Sequence, residues 1–376
     1  MKIVFTGGGT GGHFYPIIAI VEQIREIAKE RKLLEPELYY IGPEPYDERA
    51  LFENNIAFRR SPAGKVRRYF SIRNIFDSIA TTLGIVKAVF QLFSIYPDVV
   101  FSKGGYASFP TVFAARLLRI PVIIHESDAS LGRVNAWAKK FAEKIAVSYP
   151  ELAEELNDER VAYTGNPIRK ELLSPQHEGA DEFLHLEAGT PTLFFIGGSS
   201  GAQAINDVVL TALPELVKKY QIIHQTGEKN LEEIEGVGSV ILRDDEHASR
   251  YHPFGTLNML AMRMSAGAAD LVISRAGSGA IFEIAAWGIP SIIIPIPEEI
   301  SHDQNKNAFA FARAGAAVVI EQRNLTKHVL LSEIGRLMEN ETKRMEMSEA
   351  AKKYAKPDAA RVLAEGILDS ALAHES

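Results

Sequence analysis

The sequence predicts an α/β chain of two Rossmann-like domains, each with a parallel sheet, facing one another across a cleft. Three observations predict it. Its 376 residues exceed the span of one ordinary core and suit two domains. Short apolar runs alternate with amphipathic stretches throughout, the pattern of buried parallel strands and crossover helices. One piece of grammar also occurs twice. Lys2–Thr6 reads as a strand, runs into Gly7-Gly8-Gly9-Thr10-Gly11-Gly12 and then a helix; Thr192–Ile196 runs likewise into Gly197-Gly198-Ser199-Ser200-Gly201 and a helix. Each is the first βα turn of a Rossmann-like sheet.

Taken in order, strands are expected near 2–6, 38–42, 98–102, 121–125, 144–148 and 160–164, with helices over 14–33, 74–95, 108–118 and 131–141. Strands near 191–196, 220–225, 238–242, 270–274, 290–295 and 316–320 then alternate with helices over 202–219, 257–267, 279–287 and 303–314, and helix fills much of 326–373. Ser291-Ile292-Ile293-Ile294-Pro295 reads as a strand buried on both faces. Gly165-Asn166-Pro167 is a plausible hinge, and 174–190 is polar without a period. The expected domains are therefore 1–165 and 166–355, with a last helix in 356–376 that no strand follows and that packs back on the first domain.

Composition narrows the function. Hydrophobic residues make up 46% and charged residues 24%, as in soluble globular proteins. A net charge of −7 argues against a general nucleic-acid binder, which needs a broad basic face. Absence of cysteine removes disulfides, thiolate catalysis and cysteine-bound metals. No run is expected to supply the roughly 20 apolar residues of a bilayer span. Met1-Lys2-Ile3-Val4-Phe5 enters a glycine loop where a secretory leader would carry a longer apolar region, so the expectation is a cytoplasmic protein with at most peripheral membrane contact.

Gly7, Gly9 and Gly12 satisfy the dinucleotide fingerprint G-x-G-x-x-G in its strand-to-helix setting, and Glu44 could serve as the ribose acid. A dehydrogenase is thus one reading. Against it, the loop carries extra glycines and ends in His13, an imidazole at a helix N-terminus. Glycines let backbone N–H groups approach a ligand, and the histidine adds a titratable group aimed at the same place. The plainer reading is a tight turn with a surface histidine. In the second loop Ser199 breaks the dinucleotide pattern, while Ser199 and Ser200 add hydroxyls suited to a diphosphate. A third cluster, Lys103-Gly104-Gly105-Tyr106-Ala107-Ser108, follows the strand at 98–102. All three loops are expected at carboxyl ends of strands, where open α/β sheets bind ligands.

In the second half, Arg275-Ala276-Gly277-Ser278-Gly279 leads into a helix expected near Ala280, whose N-terminus offers N–H donors to phosphates. Glu283 is expected in its first turn, where a carboxylate can accept two ribose hydroxyls, or merely complement the helix dipole.

Gly9-Thr10-Gly11-Gly12-His13, Gly104-Gly105-Tyr106, His125-Glu126, Gly165-Asn166-Pro167-Ile168-Arg169, Gly197-Gly198-Ser199 and Ser274-Arg275-Ala276-Gly277 occur in the order and spacing of one family. Over nearly its whole length the chain resembles the MurG family of N-acetylglucosaminyltransferases, which complete lipid II in peptidoglycan synthesis. The resemblance implies a GT-B fold, UDP-N-acetylglucosamine as donor and undecaprenyl-pyrophosphoryl-N-acetylmuramoyl-pentapeptide as acceptor. It also implies inversion without a metal or other cofactor, at the cytoplasmic face of the bacterial membrane. Carried over residue by residue, it gives Thr10, Gly11, Gly12, Asp128, Arg169, Ser199, Met259, Ser278, Gly279, Glu283, Gln304 and Asn307 as donor contacts. Gly104, Gly105, Tyr106 and His125 fall on the acceptor-side loops, and His13 and Glu126 are the catalytic candidates, with His125 a further candidate base. The chain departs from the family pattern at Ser127-Asp128, Ser200 and Asp303, where Gln-Asn, Gln and Gln are usual.

Residues 59–73 gather Arg59, Arg60, Lys65, Arg67, Arg68 and Arg73, and the next segment carries Ile75, Ile79, Leu83, Val86 and Phe90 at helical spacing beside Phe76 and Phe93. Such a pairing suits an anionic membrane surface, although most apolar stripes are core. Besides a transferase, a UDP-sugar epimerase, a transferase with another acceptor and a sugar-nucleotide sensor without turnover fit the same two-domain reading.

Overall fold

The computed structural model describes residues 1–64, 73–198, 201–299 and 302–375. It divides into two compact units, Met1–Arg169 with Lys356–Ser376, and Lys170–Ala355. Ser199, Ser200, Lys65, Arg67 and Arg68 lie outside the described residues, as do the side chains of Arg73, Ile75 and Asp303.

The first unit runs β1 (Lys2–Thr6), α1 (Gly11–Glu30), β2 (Glu37–Gly42), α2 (Glu48–Glu53), β3 (Ile56–Arg60), α3 (Arg73–Ile95), β4 (Val99–Ser102), α4 (Phe109–Leu118), β5 (Val122–Glu126), α5 (Arg133–Ala138), β6 (Lys144–Val147), α6 (Pro150–Leu156) and β7 (Val161–Tyr163). Its strands are all parallel, in the order β3-β2-β1-β4-β5-β6-β7. Val4 lies between Tyr39 of β2 and Val100 of β4, and Ile3, Val4 and Phe5 are fully buried. The winding reverses between β1 and β4. The glycine loops that follow these two strands therefore open at one crevice, where parallel sheets bind ligands.

The second unit runs α7 (Ala180–Leu184), β8 (Thr192–Ile196), α8 (Gln203–Leu216), β9 (Gln221–Gln225), α9 (Leu231–Ile241), β10 (Tyr251–Phe254), α10 (Met259–Ala268), β11 (Leu271–Arg275), α11 (Ser278–Trp287), β12 (Ser291–Ile294), α12 (His302–Arg313), β13 (Ala317–Val319), α13 (Lys327–Met338) and α14 (Glu341–Tyr354). Its parallel order is β10-β9-β8-β11-β12-β13, again reversing beside the strand that precedes a glycine loop. Leu193, Phe195, Ile273 and Ile292 of the sheet pack with Val209, Leu213 and Ile334 of the flanking helices.

The chain then returns to the first unit as α15 (Ala359–Glu375). Leu363, Ala364, Ile367, Leu368 and Ala371 form one helical stripe and share a core with Ile17, Ile20, Val21 and Ile24 of α1. Asn166 and Arg169 also belong to the first unit, Asn166 bonded to Lys103 and Arg169 lying over the Tyr15 ring.

Three sequence expectations are corrected. The strand expected at 238–242 is the end of α9: Ile234, Gly238 and Leu242 are buried at four-residue spacing while Val237, Val240 and Ile241 face solvent. Gly238 is small because a Cβ there would come within 2.8 Å of the Tyr251 ring. The strand itself comes later, at β10, an edge strand carrying Pro253, which proline permits only at an edge. The other unforeseen strand, β3, is also at an edge, with Arg59 and Arg60 exposed, a charged edge that discourages pairing with other chains. Finally, Phe76–Ile95 is long and apolar enough by length and composition to cross a bilayer, contrary to the composition reading. One stripe of this helix, Gly84, Ala88, Leu92 and Ile95, is buried.

Candidate active site

In the first unit, Thr10 caps α1 in an extended conformation, and its hydroxyl meets His13 Nδ1 at 2.9 Å instead of a backbone N–H. His13 is partly buried three residues into the helix. Gly11 and Gly12 precede it with the N–H groups that a helix start leaves unpaired. The two glycine loops interlock. A Cβ on Gly105 would lie 2.9 Å from Gly8 Cα and 3.5 Å from His13 Nε2, so only glycine backbone fits between them. Gly104 and Gly105 both have positive φ, 75° and 77°. Tyr106 begins the short turn that follows, its hydroxyl 3.6 Å from where a Gly9 Cβ would stand.

Behind these loops lies a buried polar cluster. Lys103 Nζ is 2.8 Å from His125 Nδ1 and 2.9 Å from Asn166 Oδ1. His125 Nε2 is 3.0 Å from the Gly165 carbonyl, which can only accept; the imidazole is therefore the Nε2–H tautomer, with Nδ1 accepting from Lys103. Burial and the Lys103 charge hold His125 well below the usual histidine range. With both nitrogens committed, it has no lone pair left to take a proton from a substrate.

Glu126 is buried and accepts three bonds: Gly132 N–H and Asn135 Nδ2 at 2.9 Å on one oxygen, and the Asp128 N–H at 3.3 Å on the other. Burial, and next the Asp128 charge, push its carboxyl up to about 7. These bonds fold the 127–132 loop around Glu126. Burial, and next the Lys103 charge, pull His13 down to about 4, so at neutral pH its imidazole is unprotonated. Lys103 itself is pulled to about 7 by burial, opposed by Glu126 and Asp128. Arg169 stacks its guanidinium 4.2 Å over the Tyr15 ring, whose hydroxyl donates to Asp47 at 3.2 Å.

Within the second unit, the loop after β8 has Gly198 and Gly201 at φ 72°, and a Cβ on Gly197 would come within 2.5 Å of the Gln225 carbonyl. Gly277 caps α11 without a side-chain bond, Ser278 is buried at its first position, and Gly279 follows with nothing within 4 Å of a would-be Cβ. The helix starts two residues earlier than the sequence indicates. Glu283 therefore sits in its second turn, half-buried, rather than in its first. Met259 opens α10, just after the Asn258 cap. On α12 the Gln304 Oε1 accepts from Ile296 N–H at 3.2 Å, and the fully buried Asn307 donates to the Ala276 carbonyl at 3.2 Å. These two amides pin the loops after β12 and β11 respectively. Among the described residues no three His, Cys, Asp or Glu gather so as to hold a metal ion.

The sequence assigned no role to Lys103, Asn135 or Asn166, though Lys103 and Asn166 stand inside quoted motifs. A lysine directly after the fully buried strand Val99–Ser102 was the available signal.

On the surface of the first unit, α3 presents a second apolar stripe. Phe76, Ile79, Leu83, Val86, Phe90 and Phe93 are all exposed, Phe90 and Phe93 at 70% and 72%. A groove of about 940 Å³ runs beside it, lined by Leu83, Val86 and Phe90 together with Arg59, Arg60 and Lys87.

Two parallel α/β units, each with a glycine-loop βα turn, suit a protein that handles a sugar nucleotide, and the comparisons show it to be a glycosyltransferase. Residues 3–147 match the glycosyltransferase family 28 N-terminal domain and residues 192–363 the glycosyltransferase family 28 C-terminal domain; the chain belongs to this family. It is 37% identical over 371 residues, covering 98% of this chain and 99% of the other, to a Bacillus cereus protein named UDP-N-acetylglucosamine–N-acetylmuramyl-(pentapeptide) pyrophosphoryl-undecaprenol N-acetylglucosamine transferase 2. The crystal structure of Acinetobacter baumannii MurG superposes with a TM-score of 0.75 at 26% identity, covering 98% of this chain and 99% of that one. A UDP-GlcNAc 2-epimerase from Neisseria meningitidis has a similar fold, with a TM-score of 0.69 at 14% identity over 98% of this chain and 100% of that one. The architecture is consistent with a GT-B fold.

Proposed function

We propose that the chain transfers N-acetylglucosamine from UDP-N-acetylglucosamine to undecaprenyl-pyrophosphoryl-N-acetylmuramoyl-pentapeptide, inverting the anomeric carbon and forming lipid II. Membership of family 28 and near-full-length kinship to a transferase of that name support the reaction. The observation that carries the chemistry is the His13 imidazole seated at the junction of two interlocked glycine loops.

His13 is the base that takes the proton of the attacking sugar hydroxyl. Its Nδ1 meets Thr10 Oγ1 at 2.9 Å, and Nε2 lies on the Gly105 side; the base acts as the Nδ1–H tautomer, with the threonine hydroxyl accepting and the Nε2 lone pair taking the proton. His125 is engaged through both ring nitrogens and Glu126 through both oxygens, whereas the His13 bond runs through Nδ1. An anionic diphosphate arriving at the same loops favours the imidazolium and strengthens the base when substrate is present. In the second unit the N–H groups at the start of α11, with Ser278 and Gly279, take the donor's diphosphate, Glu283 its ribose and Gln304 its sugar, while Asn307, fully buried and bonded to the Ala276 carbonyl, sets the loop beside them. Helix-dipole and N–H stabilisation of the leaving group is the preorganised electrostatic term. The α3 stripe and its basic neighbours dock the enzyme peripherally on anionic lipid, at the cytoplasmic face.

The test is steady-state kinetics of His13→Ala with both substrates. Turnover should fall about 10²–10⁴-fold with the donor KM near that of the parent. Near-parental turnover with an unchanged pH profile would remove His13 from the chemistry and leave Glu126 as the candidate.

A further inference from the structure

Among the described residues the charged side chains that the fold buries are Lys103 and Glu126, at 1% and 7% exposure. Taking an ammonium out of water costs several kcal/mol unless its surroundings compensate. Nothing in the proposed chemistry yet uses Lys103. Its location is specific, however. The backbone N–H of Lys103 donates to the Thr6 carbonyl at 2.9 Å, and a Cβ on Gly7 would lie 3.3 Å from Lys103 Cβ. The side chain thus runs beneath the first glycine loop while its own residue begins the second. Its ammonium ends on His125 Nδ1 and Asn166 Oδ1.

We propose that Lys103 is a positioning residue for the transfer: lodged under both glycine loops, its ammonium fixes His125 and Asn166 and places a buried positive charge behind the loop that carries His13. The inference rests on His13 being the base. The titratable groups around His13 are Lys103, whose charge opposes a second proton, and His125, which couples to it. Glu126 and Asp128 face Lys103 and favour its charged form. The Tyr40 hydroxyl donates to the Gly7 carbonyl at 3.2 Å, and Tyr106 and Tyr46 stand beside Gly9 and Gly11. Of these groups Lys103 is the cation that acts on His13. Burial is the first cause of the lowered His13 value, and a cation there adds to it by making imidazolium formation more costly. His125, bonded through Nε2 to the Gly165 carbonyl, carries the same arrangement into the 165–169 segment.

The experiment is an NMR titration of histidine ring signals in the full chain, assigned with His13→Gln, for the parent, Lys103→Met and Lys103→Gln. Methionine keeps the chain as far as the Cε position without charge; glutamine, of the same reach, also keeps an N–H donor. The His13 midpoint should lie near 4 in the parent, set first by burial and next by the Lys103 charge, and should rise in both variants by the part the charge supplies. The acidic limb of kcat/KM should move up with it, while the donor KM stays near that of the parent. A His13 midpoint unchanged in whichever variant folds overturns the role of Lys103 without touching His13 as base. A parent midpoint near 6.5 overturns it even if neither variant folds. A midpoint that moves while the pH limb stays overturns His13 as base, and the inference with it.

Discussion

Replacing Gly105 by alanine should separate the two loops that hold His13. Gly105 sits at φ 77° and ψ 162°, a region that other residues occupy only at a cost of ~1–3 kcal/mol. The added methyl would also stand 2.9 Å from Gly8 Cα and 3.2 Å from Gly8 N. Both contacts are backbone, so no rotamer relieves them. Strain and overpacking together should cost roughly 2–4 kcal/mol. Urea unfolding should report this as a lower midpoint for the first unit, with turnover reduced because the His13 ring loses its seat against Gly105. Gly9→Ala is the control. Gly9 has no positive φ, and its nearest neighbour would be the Tyr106 hydroxyl at 3.6 Å, an ordinary contact. It should change stability by no more than about 0.5 kcal/mol. Equal urea midpoints for Gly105→Ala and parent, or equal damage from Gly9→Ala, would refute the interlocked-loop account.

Three further outcomes are expected. Glu283→Ala should weaken UDP-N-acetylglucosamine binding by about 1.5–3 kcal/mol in calorimetry, the range for hydrogen bonds to a charged group; unchanged affinity in a folded variant would free Glu283 of that role. Phe90→Ser with Phe93→Ser should lower binding to anionic vesicles without shifting the urea midpoint, since both rings are exposed; vesicle binding equal to the parent would count against α3 as the docking face. His224 is fully buried between the Tyr251 hydroxyl and Asn206 Oδ1, both at 3.0 Å, and burial pulls it to about 3. Because that value lies below the unfolded 6.5, its stabilisation is complete above pH 6.5 and is lost toward pH 3, at up to about 1.4 kcal/mol per pH unit. His224→Asn should flatten that slope in urea titrations between pH 6.5 and 4, and an unaltered slope would show that the acid sensitivity lies elsewhere.

How legible each feature was depended on how local its cause is. Both glycine-loop turns could be read directly, because strand, glycines and helix are consecutive in sequence. Interior strands such as Ser291–Ile294 declared themselves through unbroken apolar runs. Edge strands did not: in β3 only Ile56 is buried and all four residues of β10 are partly exposed, so charge and proline masked them. Val240-Ile241-Leu242 looked like a strand because the buried four-residue stripe of α9 is hidden by exposed apolar neighbours. The exposed stripe of α3 was legible as a helical period, but its exposure was not, since core and docking stripes share one pattern. Least visible was the cluster behind the loops. Lys103 meets His125 22 residues away and Asn166 63 residues away, contacts that only the sheet order creates.

The most direct test of the account is to follow the sugar. The full chain is incubated with UDP-N-acetylglucosamine labelled in its sugar, with and without undecaprenyl-pyrophosphoryl-N-acetylmuramoyl-pentapeptide. The predicted result is label in the lipid as a β-linked disaccharide, one UDP released for each sugar transferred, and none of this without the lipid. Conversion of the donor to an epimeric UDP-sugar without lipid, or an α-linked product, would contradict it.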